Sequence, residues 1–132
     1  MTTVRLIEYG EAVPEVRAVY DEIMAARGID WVNNFWKALA VHPPTLRRTW
    51  DAVQAVMALG ALDVRSKEML YLAVSIANNC EYCIHSHTAS ARRAGMTDAM
   101  YGELLAVVGM ASETNSFANA TRVPVDPRFQ VE

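Results

Sequence analysis

Cysteine is scarce. The 132-residue chain has two. Two cannot staple a secreted scaffold of this size, and a chain this long can build a core without them. Glycine (6) and proline (5) are too few for a collagen-like or low-complexity chain. Long apolar runs are missing as well. The longest, from Met69 to Ala77, is interrupted by Ser75, and a bilayer helix needs about twice that length. The N-terminal stretch MTTVRLIEYGEAVPE mixes charges among its apolar residues and offers no signal-peptide core. The expected location is therefore the cytoplasm, with no membrane partner. Positive charge is not gathered either. Twelve Lys and Arg stand against 15 Asp and Glu, for a net charge of −3, and the largest basic clusters are the pairs Arg47-Arg48 and Arg92-Arg93. A phosphate backbone needs clustered positive charge, so nucleic acid is not an expected partner.

What is present is apolar: 52% hydrophobic against 20% charged residues, a balance that excludes disorder. The length fits one domain, and the expectation is a single helical domain over 1–132. Strong helix formers dominate, and no segment alternates with period two between turn signals. Residues 1–12 read as irregular. A first helix starts at Pro14, where a missing N–H costs nothing, shows Val16, Val19, Tyr20, Ile23 and Met24 on one face, and ends near Gly28. A short helix covers 33–41, ahead of His42-Pro43-Pro44. A third runs 44–59 with Leu46, Trp50, Val53, Val56 and Met57 as its stripe and Gly60 as its stop. Asp63 caps a fourth, 64–78, which is apolar nearly all round from Met69 and so reads as central and buried. Asn78-Asn79 makes a tight turn. A fifth helix runs from Cys80 to Ala94 and stops at Gly95. Thr97 caps a sixth that reaches Met110, and a shorter one covers 112–120. The tail, about 121–132, has no helical period. The fold class is thus all-α, a single bundle of six to seven helices. Its surplus apolar surface favours a homo-oligomer.

The chemistry-bearing stretch is KEMLYLAVSIANNCEYCIHSHTASARRAG. Cys80 and Cys83 are three apart, and His87 follows Cys83 by four. Residues three and four apart share a helix face. Both cysteines fall in the first helical turn, where unpaired N–H groups and the helix dipole favour a thiolate. His87 can serve Cys83 as a base. If the fourth and fifth helices fold back at Asn78-Asn79, Glu68 lies about 15 Å below the turn and His87 about 10 Å below it, by the rise per residue. A glutamate can span that offset and orient His87. Glu68, His87 and Cys83 would then form a carboxylate–base–nucleophile relay, with Cys80 placed to close a disulfide.

Other readings stay open at this point. Cys80, Cys83 and His87 supply three zinc ligands, with Glu68 the one remote candidate for a fourth. Two buried ordinary thiols would do no chemistry. Tyr82, between the cysteines, either packs or relays protons. His85, on another face, reads as a solvated residue paired with Glu81. Trp31, Trp36 and Trp50 read as core or interface residues, and His42 as a loop residue. No GxGxxG or P-loop is present, and no organic cofactor is expected.

Glu68, eleven residues, Cys80, two residues, Cys83, three residues, His87: this pattern resembles the signature of the AhpD-like alkylhydroperoxidases of the carboxymuconolactone decarboxylase superfamily. The flanking LYLAVSIANNCEYC and HTASARRAGMTD fit as well. The similarity runs from about Trp36 to Leu105. The resemblance implies an all-helical subunit assembling into trimers or hexamers. It implies thiol-dependent reduction of hydroperoxides in antioxidant defence, with Cys83 peroxidatic and Cys80 resolving. It also implies a dithiol electron donor, a lipoylated carrier or a thioredoxin-like protein. One departure is Tyr82, where well-studied relatives often carry a histidine. Tyrosine is a poorer proton shuttle near neutral pH. That opens the alternative of a dithiol–disulfide oxidoreductase without peroxidase activity. Decarboxylase chemistry, which would not need the cysteines, and a metal-binding structural oligomer rank below both.

Overall fold

The structure is a computed structural model that describes residues 1–129. Among the described residues it is all-α, with six α-helices and no strand: α1 (Pro14–Arg27), α2 (Asn34–Leu39), α3 (Pro43–Met57), α4 (Val64–Ala77), α5 (Glu81–Arg93) and α6 (Asp98–Thr121). Single 3-10 turns lie at Tyr9–Glu11 and Pro127–Phe129. None of these helices is long and apolar enough to cross a membrane. The last three positions of the expected irregular tail, 130–132, lie outside the described residues.

Two compact units divide the chain, Met1–Ala58 and Leu59–Glu132. The first is built by α1, α2 and α3. Its core gathers Val16, Val19, Tyr20, Ile23, Trp36, Leu46 and Trp50, with Trp36 and Trp50 edge to face at 5.4 Å. The stripe expected on the first helix is therefore the buried one. Trp31 is exposed. Glu22 on α1 takes both guanidinium nitrogens of Arg47 on α3, at 2.6 and 2.9 Å. That bidentate bond holds the Glu22 carboxyl below its ordinary range.

The second unit holds α4, α5 and α6 around Leu72, Ala91, Met96 and Leu104. Local chemistry sets its boundaries. Asp63 caps α4 by accepting the Ser66 N–H at 2.7 Å, and Thr97 caps α6 by accepting the Met100 N–H at 3.1 Å. Asn79 turns the chain with φ 55°, in the left-handed region that asparagine tolerates. Gly95 ends α5 with φ 100°. There the Met96 N–H returns to the Ala91 carbonyl at 2.9 Å.

Several expectations are corrected. The sixth and seventh helices are one continuous helix, because residues 110–112 (Met-Ala-Ser) contain nothing that breaks a helix. Gly60 does not stop α3. The helix ends at Met57, and Ala58 is already extended, with ψ 150°. His42 does lie in the loop between α2 and α3, where it stands at the N-cap of α3, its Nδ1 2.7 Å from the Thr45 hydroxyl. Val56, expected in the buried stripe of α3, is exposed. Helix α4 is not buried all round in the single chain. Leu72 and Ser75 are buried, whereas Leu70 and Val74 are more than half exposed. Helix α6 goes further: of 24 residues only Leu104 is buried, while Val107, Met110 and Phe117 face outward.

Candidate active site

The site lies wholly in the second unit, where α4 and α5 pack side by side after the Asn78-Asn79 turn. Cys80 is the N-cap of α5, and its sulfur accepts the backbone N–H of Cys83 at 3.3 Å. Cys83 sits in the first turn. The two residues stand at disulfide distance, with Cα atoms 5.3 Å apart, and are bonded to each other. The Cys80 N–H is tied to the Ser75 carbonyl at 3.0 Å, so the last turn of α4 anchors the start of the cysteine helix.

Glu68 is on the first half of α4 and His87 is in the middle of α5. The antiparallel return brings them together: Nδ1 of His87 is 2.7 Å from Oε2 of Glu68. Both side chains are mostly buried, 20% exposed for His87 and 14% for Glu68. With the carboxylate as acceptor, the Nδ1–H donates the hydrogen bond to Glu68, and Nε2 is the ring nitrogen outside that bond. His87 lies one helical turn beyond Cys83, which puts their Cβ atoms about 5–6 Å apart on one face of α5. In the disulfide form neither sulfur has a proton to give, and the link between His87 and Cys83 is one of helical register.

Two of the five residues singled out from the sequence, Glu68 and His87, thus meet across two helices, and Cys80 and Cys83 stand bonded to each other at the start of the second. The fifth, Tyr82, lies in the first turn of α5 between the cysteines and is 42% exposed, so core packing does not account for it. His85 is exposed on α5. Among the described residues no group of three or more His, Cys, Asp and Glu side chains is gathered so as to hold a metal ion.

One neighbour was missed. Tyr71 stacks on His87 with ring centroids 3.7 Å apart and planes 20° from parallel. It follows Glu68 by three positions on α4, and that spacing was the available signal.

Residues 43–126 match the model of the carboxymuconolactone decarboxylase family. A solved structure, the alkylhydroperoxidase AhpD core from Rhodospirillum rubrum, is 52% identical; the match covers 100% of this chain and 99% of that one, with a TM-score of 0.96. A curated relative, uncharacterized protein 4 in the cox locus of Paracoccus denitrificans, is 33% identical over 69 residues. That stretch is 52% of this chain and 62% of the relative, so the match spans less than two thirds of that protein. The family match includes both cysteines, Glu68 and His87, and the fold match extends over the whole chain; this chain belongs to the carboxymuconolactone decarboxylase family, as an AhpD-like member.

Proposed function

We propose that the protein is a thiol peroxidase that reduces hydroperoxides through Cys80 and Cys83, with His87 and Glu68 moving the protons. The observation that carries this reading is the 2.7 Å contact between Glu68 and the Nδ1 of His87, on the helix face that also bears Cys83. A charged partner at Nδ1 holds the imidazole in the tautomer whose Nε2 can take a proton from a thiol. The Rhodospirillum rubrum neighbour, an alkylhydroperoxidase core, supports the same chemistry by likeness.

The cycle balances without a cofactor. His87 takes the Cys83 proton, and the thiolate attacks the terminal oxygen of the hydroperoxide. The O–O bond breaks, and the leaving alkoxide takes the proton back from His87 to depart as an alcohol. Cys83 becomes a sulfenic acid. Cys80 attacks that sulfur, water leaves, and the disulfide forms. A dithiol donor reduces it by two thiol–disulfide exchanges and becomes a disulfide itself. A lipoylated carrier or a thioredoxin-like protein in the cytosol would fit that role. Tyr82, exposed beside Cys83, is a candidate second proton donor to the leaving oxygen.

The deciding test is a thiol count with intact mass on the reduced protein, before and after one equivalent of an organic hydroperoxide. The expected result is loss of both thiols and of two hydrogens within seconds. Thiols that ignore peroxide but oxidise with a disulfide donor would replace this reading with that of a dithiol–disulfide oxidoreductase, the alternative that Tyr82 motivates.

A further inference from the structure

A single hydrogen bond does not aim an imidazole. The bond from Nδ1 to Glu68 fixes one edge of the His87 ring, but the side-chain torsions of His87 can still change while the flexible glutamate follows, and that would move Nε2. A contact on the face of the ring removes that freedom, and Tyr71 supplies it: the centroids are 3.7 Å apart and the planes within 20°.

Packing does not explain Tyr71. It is 39% exposed and lies outside the buried cluster of its unit. Its backbone, by contrast, is well anchored. The buried Ser75 hydroxyl donates to the Tyr71 carbonyl at 2.8 Å, and the Ser75 carbonyl accepts the Cys80 N–H at 3.0 Å. The turn that presents the ring is therefore tied to the turn that presents the cysteines.

We propose that Tyr71 is a positioning residue, which with Glu68 clamps His87 by face and edge so that Nε2 is held toward Cys83. The proposal rests on the reading of His87 as the base of the thiol pair. It assigns the work to the aromatic face of Tyr71 and none to its hydroxyl.

The test compares Tyr71→Phe with Tyr71→Leu, each in otherwise wild-type protein and in a Cys80→Ser background. The rate of Cys83 alkylation by iodoacetamide in that background reads thiolate reactivity without any peroxide. A failure of the peroxidase reading therefore leaves this measurement intact. Tyr71→Phe is expected to stay within about twofold of the parent and Tyr71→Leu to slow about tenfold or more, the lower range of what a positioned base contributes. In the oxidised protein, the His87 ring-proton signals are expected upfield in wild type and in Tyr71→Phe, from the stacked ring, and not in Tyr71→Leu. Unchanged alkylation in a folded Tyr71→Leu variant would overturn the proposal. So would a Phe variant as slow as the Leu variant, because the hydroxyl would then matter, or ring-proton signals that do not move on loss of the ring.

Discussion

The sulfur of Cys80 accepts the backbone N–H of Cys83, so the first cysteine of the pair caps the helix that carries the second. The two sulfurs are therefore placed unequally. Cys80 accepts a hydrogen bond from the helix start in the disulfide, a feature that would stabilise its thiolate on reduction. Cys83 instead shares a helix face with His87. A thiolate stabilised by the helix and one generated by a base suit different steps. The first suits attack on the sulfenic acid and departure during reduction. The second suits attack on peroxide.

Replacement of each cysteine should separate these steps. Cys83→Ser is expected to abolish peroxide consumption. Cys80→Ser is expected to allow one event per chain, leaving a sulfenic acid that dimedone traps, and to stop cycling with a dithiol donor. Mass spectrometry of the trapped protein checks both. A Cys83→Ser variant that still consumes peroxide would reverse the assignment.

Glu68→Gln keeps the side chain's size and removes its charge. The His87 imidazolium loses its counter-charge, so His87 becomes a weaker base toward Cys83. Positioned general bases contribute about 10²–10⁴-fold, and the loss of the orienting carboxylate is expected to slow the peroxide step at neutral pH by about tenfold or more. Stopped-flow measurement of the first oxidation at pH 7 reads the effect, and an unchanged rate would make Glu68 a structural residue.

Much of this site was legible because it depends on local chemistry. The CxxC step, the four-residue step to His87 and the caps Asp63 and Thr97 are rules of helix geometry that act within a few residues. The fold-back at Asn79 needs one residue with a left-handed backbone. Glu68 became legible only because that turn makes two helices antiparallel, so that rise per residue measures the offset. Tyr71 was not legible in this way, since its role depends on the side-chain direction of a residue that looks like part of an apolar run. The run itself misled. Its length of apolar residues predicted burial on every side, yet Leu70 and Val74 are more than half exposed in the single chain. Apolar patterning says that a surface leaves water, not whether its own chain covers it.

That uncovered surface leads to the next expectation. Helix α6 has one buried residue along its 24, and Val107, Met110 and Phe117 are all more than half exposed. We propose that copies of this chain cover these residues in a homo-oligomer, a trimer or hexamer, since contiguous apolar surface of this kind marks interfaces. Sedimentation of the wild-type chain should give a multiple of 14.6 kDa. Val107→Glu together with Met110→Glu should shift it toward the single-chain mass. A wild-type chain that sediments as a monomer would refute the assembly.

Tyr20 gives the first unit a sensitivity to alkali. Its side chain is completely buried, and its hydroxyl donates to the Ile7 carbonyl at 2.8 Å. Burial, with Glu8 and Glu11 adding their negative charge, pushes the phenol up from 10.0 to about 12. The folded state therefore keeps this proton at a pH where the unfolded chain has lost it. Stability from this source is complete below about pH 10 and declines as pH rises toward 12, because the unfolded state binds fewer protons there. Fluorescence-monitored urea unfolding should show the midpoint falling across that window. Tyr20→Phe removes the titration together with the hydrogen bond. It should cost about 1 kcal/mol at pH 7, the net value of one such bond, and flatten the decline above pH 10. A Phe variant with the same alkaline decline as wild type would place the sensitivity in another group.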